Sequence, residues 1–138
     1  MKKQDVVLVL LTTNKGKYVA IHRFKDRNYG LPGGKVNENE SWIEALVREV
    51  YEETSLILDP DKLFLVYHSE RKEDNVHYDV YTALYKDKIS ENLVLHTEEK
   101  HIEPLFIEPS LLFMLTKYKE YFLGLYEELG TDLIHKEI

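Results

Sequence analysis

Apolar and polar positions divide the chain into strand-like and helix-like runs. Residues 6–12 and 18–24 are apolar or β-branched. The polar, glycine-containing break Thr13-Asn14-Lys15-Gly16-Lys17 between them predicts a hairpin turn. Lys25 to Asn28 reads as a charged loop. Gly30, Pro32, Gly33 and Gly34 then crowd turn-formers together, which predicts a tight irregular bend. Residues 63–69 and 76–86 read as two strands around a charged loop over 70–75. A polar loop follows over 87–100, interrupted by Leu93-Val94-Leu95. A short strand is expected over 102–107. Pro109 suits the first turn of a helix, and 118–129 reads as a last helix ending before Gly130.

The clearest element is a helix over 41–54, from Ser41 to Thr54. Ser41 followed by Glu44 has the form of a capping box, in which each side chain satisfies a free amide of the other residue. Ile43, Leu46, Val47 and Val50 recur at helical spacing and predict a core-facing stripe. At about 100° per residue, Glu49, Glu52 and Glu53 fall within an arc of roughly 100°, with Ala45 among them. The small Ala45 side chain is expected to leave room there for an ion or substrate.

Composition narrows the class. The 138 residues, 43% of them hydrophobic, suit one mixed α/β domain over 1–138. No apolar run approaches the ~20 residues that cross a bilayer, so no membrane is expected. The charged start and the short run after it lack a cleavage pattern and read as a core strand. With no cysteine, disulfides and thiolate chemistry are excluded, which fits a cytoplasmic protein. The net charge of −7 and the absence of a basic stripe argue against duplex nucleic acid. Nucleotides remain open, because a metal ion can supply the positive charge.

That possibility bears on the helix. Three carboxylates on one arc repel each other unless a cation sits among them. Mg²⁺ takes oxygen ligands from a few carboxylates, water and substrate phosphates. Arg48 is placed to hold a neighbouring carboxylate, and a glycine such as Gly33 lets a backbone carbonyl approach an ion. The competing reading is a solvated acidic face, since like charges at this spacing cost only about 0.2–0.5 kcal/mol. The glycine turn immediately upstream is what favours a site.

The segment resembles the signature of the Nudix hydrolases. Gly34, Glu40, Arg48, Glu49, Val50, Glu52, Glu53 and Leu56 stand at its positions, and Tyr29-Gly30-Leu31-Pro32-Gly33-Gly34 is similar to its lead-in. The one departure is Ser55, where the family has glycine. There the helix is expected to end in a left-handed conformation that costs serine about 1 kcal/mol. The resemblance implies an α/β/α sandwich with a mixed β-sheet and one catalytic helix. It implies Mg²⁺ or Mn²⁺ on Glu49, Glu52 and Glu53 with the Gly33 carbonyl nearby. Glu40 would sit close to that shell through water, and Arg48 would orient the carboxylates.

The reaction implied is hydrolysis of a diphosphate linkage in a nucleoside diphosphate derivative, with Glu49 or a loop glutamate as base. Of Glu98, Glu99 and Glu103, Glu99 is preferred. Arg23 is a candidate substrate contact and Tyr29 a candidate base-stacking residue, each against a plain surface or packing role. Tyr78 and Tyr81 read as core or edge aromatics. The histidines show no metal-ligand spacing. The small substrate ranked first is a nucleoside triphosphate, cleaved to monophosphate and pyrophosphate. ADP-ribose or another nucleotide sugar ranks second, because no proline occurs between Pro60 and Pro104, where members cleaving ADP-ribose tend to have one. A nucleotide-binding module without turnover is the reading of another class. The tyrosine-rich 118–126 segment offers either a homodimer surface or a core helix, the latter preferred.

Overall fold

The computed structural model describes residues 1–130. Two sheets form its frame. The first is mixed and has the order β4-β1-β6-β5: β1 (Lys2–Leu10), β4 (Gly33–Lys35), β5 (Leu63–Glu73) and β6 (Val76–Tyr85). The second is antiparallel, with β2 (Tyr18–Arg23) between β3 (Asn28–Gly30) and β7 (Ile102–Ile107). The helices are α1 (Trp42–Thr54), α2 (Pro109–Leu115) and α3 (Lys119–Leu129). With the four-stranded sheet between α1 on one face and α2 and α3 on the other, the α/β sandwich expected from the sequence is present.

The central strand β1 runs parallel to β6 and antiparallel to β4. Its side chains alternate between two cores. Val7 and Val9 pack with Ala45, Leu46 and Val50 of α1. Leu8 and Leu10 pack with Leu112 of α2 and with Phe122 and Leu125 of α3. Both faces of β1 are covered, which is why the run from Val6 to Leu11 is continuously apolar rather than alternating. Phe122 and Leu125 are buried, so the last helix is a core element on that face.

Three expectations need correction. The break over 13–17 does reverse the chain: Thr13 N–H donates to the Lys17 carbonyl at 2.8 Å, and Gly16 takes φ 78°. The flanking strands nevertheless do not form a hairpin. Beyond a single bridge between Thr12 and Tyr18 they splay into different sheets, because each finds a longer partner elsewhere. The bend over 30–34 is shared between two short strands that extend beyond it, β3 before and β4 after Leu31-Pro32. The charged loop over 70–75 is mostly strand. Its turn is Asp74-Asn75, both at positive φ (51° and 63°), the combination that a two-residue hairpin turn of matched twist requires.

Gly33 marks where β4 meets β1. Its φ is +142°, and a Cβ there would lie 2.0 Å from the Val7 carbonyl oxygen, an atom fixed in the sheet. Gly33→Ala is expected to cost about 3 kcal/mol or more, combining backbone strain with a clash that no side-chain movement relieves. A shift of the urea unfolding midpoint checks this.

Candidate active site

The helix α1 is set by its two ends. Ser41 Oγ accepts from Glu44 N–H at 3.1 Å, and Glu44 Oε1 accepts from Ser41 N–H at 2.9 Å, completing the expected capping box. At the other end Ser55 adopts the left-handed conformation (φ 67°), with its N–H on the Tyr51 carbonyl. Its hydroxyl donates to the His96 carbonyl at 2.8 Å, a contact a glycine cannot make. Leu46 and Val50 are fully buried, and Ile43 and Val47 are partly so, as the stripe predicts. Ala45 is also fully buried in this core, so it leaves no open space beside the glutamates.

The three glutamates have unequal surroundings. Glu52 is exposed. Glu49 is partly buried, and its carboxylate lies over Gly34 so closely that a Cβ at Gly34 would be 2.5 Å from Glu49 Cδ. Glu53 is 1% exposed. Its Oε1 accepts from the Gly33 N–H at 2.8 Å, and Arg23 Nη2 of β2 lies 3.3 Å from its Oε2. The glycine turn therefore serves the helix twice: Gly33 gives an amide to Glu53 and Gly34 gives space to Glu49.

Arg48 gathers four groups. Its Nε and Nη2 engage both oxygens of Glu40 at 2.7 and 2.9 Å. Its Nη1 lies 2.9 Å from Glu49 and 3.3 Å from Glu52, and Nη2 also reaches the Lys35 carbonyl. Arg48, with the Asn37 amide, holds the Glu40 carboxyl down at about 2, so Glu40 is a permanent anion that fixes the guanidinium. Both Glu40 oxygens are occupied in this way.

The loop before β7 closes the site, and sequence reasoning missed what holds it. His96 N–H donates to the Thr54 carbonyl at 3.1 Å, and Thr97 Oγ1 donates to the Glu52 carbonyl at 2.9 Å. Glu99 N–H in turn donates to Thr97 Oγ1. Free carbonyls at a helix C-terminus attract such donors, but a lone Thr97 in a polar loop gives no local signal of that role. The anchored loop brings Glu99 close enough for its charge to act on both Glu49 and Glu53. Glu98 is instead paired with His96 at 2.8 Å, and Glu103 lies on β7 opposite His22.

Of the substrate candidates, Arg23 is engaged with Glu53. Tyr29 stacks on His22, with ring centroids 4.1 Å apart and planes 7° apart. Tyr78 lies beneath the Arg71 guanidinium, and Tyr81 stacks on His68.

Comparison with known proteins identifies the family. The family model for the NUDIX domain matches residues 2–124. The chain belongs to the NUDIX domain family. It is thus a Nudix pyrophosphohydrolase by family. Among solved structures, a MutT protein from Methanosarcina mazei Go1 is similar at 20% identity, covering 91% of each chain with a TM-score of 0.74. A MutT structure from a study of Aliivibrio salmonicida and Vibrio cholerae is 17% identical over 98% of this chain and 99% of that one, TM-score 0.66. A C. elegans Ap4A hydrolase is 13% identical over 88% and 93%, TM-score 0.64. At these identities the likeness concerns the fold. No curated protein matches the chain.

The Nudix helix carries an electrostatic load that pH reveals. Burial pushes the Glu53 carboxyl up to about 8 from an ordinary 4.5, against the Gly33 amide and Arg23, which pull it down. The folded protein thus binds this proton more tightly than the unfolded chain. Stability from Glu53 is full below about 4.5 and is lost as pH rises through about 8. Glu40, depressed, acts in the opposite sense but below that window. In chelator-treated protein the thermal midpoint is expected to fall from pH 5 to pH 8, and Glu53→Gln is expected to flatten the fall.

Proposed function

We propose that the chain hydrolyses a diphosphate linkage in a nucleoside diphosphate derivative with Mg²⁺ or Mn²⁺, and that its substrate is a nucleoside triphosphate, cleaved to monophosphate and pyrophosphate. The observation that carries this reading is the convergence of Glu49, Glu53 and Glu99 beside the Gly33-Gly34 turn. The carboxylates fit a hard divalent ion. Glu53 is shut off from water with one amide and one guanidinium beside it, and Glu49 and Glu52 share a single arginine. Such a surplus of anions is relieved by a cation. Glu49, Glu52 and Glu53 would hold it, with the Gly33 carbonyl at hand. When bound, the ion neutralises phosphate charge and lowers the pKa of water.

The chain's own residues do the rest. Arg48, locked by Glu40, keeps Glu49 and Glu52 in position. Glu99 is the base: among the described residues no ion pair or hydrogen bond engages its carboxylate, whereas Glu49 is held by Arg48. The water proton passes to Glu99, the water oxygen bonds to phosphorus, and the bridging P–O bond breaks to release pyrophosphate. Arg23 and Tyr29 stand at the end of β2 and on β3, where an incoming nucleotide would meet them. Pro60 and Pro104 bracket a stretch without proline, which supports a triphosphate over ADP-ribose.

A nucleotide panel with Mg²⁺, read as pyrophosphate and phosphate release, tests the proposal. Glu99→Gln is expected to lower turnover by about two orders of magnitude, the scale of a lost general base. Glu52→Gln is expected to raise the Mg²⁺ concentration needed for half-maximal rate. A rate indifferent to Glu52→Gln would remove that residue from the ion's ligands. Tight nucleotide binding with no turnover on any substrate would make the protein a binding module.

A further inference from the structure

The β5–β6 hairpin carries a second group of metal-ligating side chains, across the four-stranded sheet from β4. Glu70 of β5 stands directly opposite Asp79 of β6, and Asp5 of β1 stands opposite Asp79 on its other side. Carboxylates placed side by side in register destabilise a sheet unless something positive joins them. Lys3 and Lys72 lie opposite His77 in the next row, yet no ion pair links either to these acids among the described residues. What does approach them is imidazole. His68 Nε2 is 2.9 Å from Asp79 Oδ1, and His77 Nε2 is 3.5 Å from Glu70 Oε1 and 3.8 Å from Asp79 Oδ1. One donor atom each from His68, Glu70 and Asp79 lie within 4.8 Å of one another.

We propose that His68, Glu70 and Asp79, with His77 alongside, bind a first-row transition-metal ion of the Zn²⁺ kind. Donors about 2.1 Å from a tetrahedral ion are about 3.4 Å apart, a value the observed spacings bracket. Two imidazoles and two carboxylates suit Zn²⁺ better than the hard Mg²⁺. The His68 ring is stacked on Tyr81 at 4.7 Å, which orients its Nε2. The group joins two strands directly, so the ion would clamp the hairpin. Its role is separate from the glutamates of α1.

Calorimetric titration of the full chain with Zn²⁺, in a large excess of Mg²⁺ to occupy α1, tests the site. One Zn²⁺ per chain is expected in the wild type and in Glu52→Gln. Affinity is expected to drop by about a hundredfold or more in His68→Ala/His77→Ala, since even a lost outer partner costs about 10–100-fold. The thermal midpoint of the double variant checks that it is folded. In wild type, the His68 and His77 ring proton resonances should shift with Zn²⁺. Absence of Zn²⁺ binding, binding unchanged in the folded double variant, or binding lost with Glu52→Gln while those resonances stay still would each overturn the proposal.

Discussion

A carboxylate withdrawn from water is the constraint on which this fold and its chemistry depend. Glu53 is buried with an amide on one oxygen and a guanidinium near the other. A buried carboxyl is tolerated only where donors are fixed around it, and burial favours its protonated form. That requirement explains why β4 must come close to α1, and why β2 must present Arg23 at its end. Two sheets and a helix therefore meet at one side chain. The same withdrawal from solvent makes the position sensitive to a nearby cation.

Around it, the other charges are graded by exposure. Arg48 is clamped by both oxygens of Glu40 and so has little freedom to leave Glu49 and Glu52. Glu99 arrives from a distant loop, and among the described residues no ion pair or hydrogen bond clamps its carboxylate. Its placement comes from backbone and hydroxyl contacts of His96 and Thr97 with the last carbonyls of α1. A helix end that would otherwise face water thus becomes the anchor for a loop. Ser55 reinforces the anchor with its hydroxyl on the His96 carbonyl, so the residue that departs from the family pattern adds a contact in exchange for left-handed strain.

Much of this was legible in the residues. The capping box, the apolar stripe and the left-handed end of α1 are local features, decided within a few residues of each other. The strand at 102–107 and Pro109 at the start of α2 were legible for the same reason. Apart from the strand ends around the Asp74-Asn75 turn and the short strands flanking Leu31-Pro32, the failures concern tertiary competition. Residues 6–12 and 18–24 look like partners in a hairpin, but β6 and β7 offer each a longer pairing. Ala45 looked like a gap beside the glutamates, but the sheet fills it. The depth of Glu53 and the capture of Arg23 by it depend on residues far apart in sequence. The histidines show no ligand spacing along the chain, yet the β5–β6 register gathers two of them beside two acids.

Gly34 carries a consequence of another kind. With Glu49 seated, there is no volume at position 34 for any carbon beyond Cα, and at Gly33 the Val7 carbonyl leaves none either. At Gly33 the barrier is the fixed backbone of the sheet, whereas a side chain at position 34 fits only by displacing the carboxylate end of Glu49. Change that leaves the meeting of β4 with β1 and the seat of Glu49 intact must therefore accumulate elsewhere, on surfaces such as the ends of β2 and β3 that do not share this restriction. The residues that seat the α1 carboxylates and the surfaces around them are free to evolve at different rates.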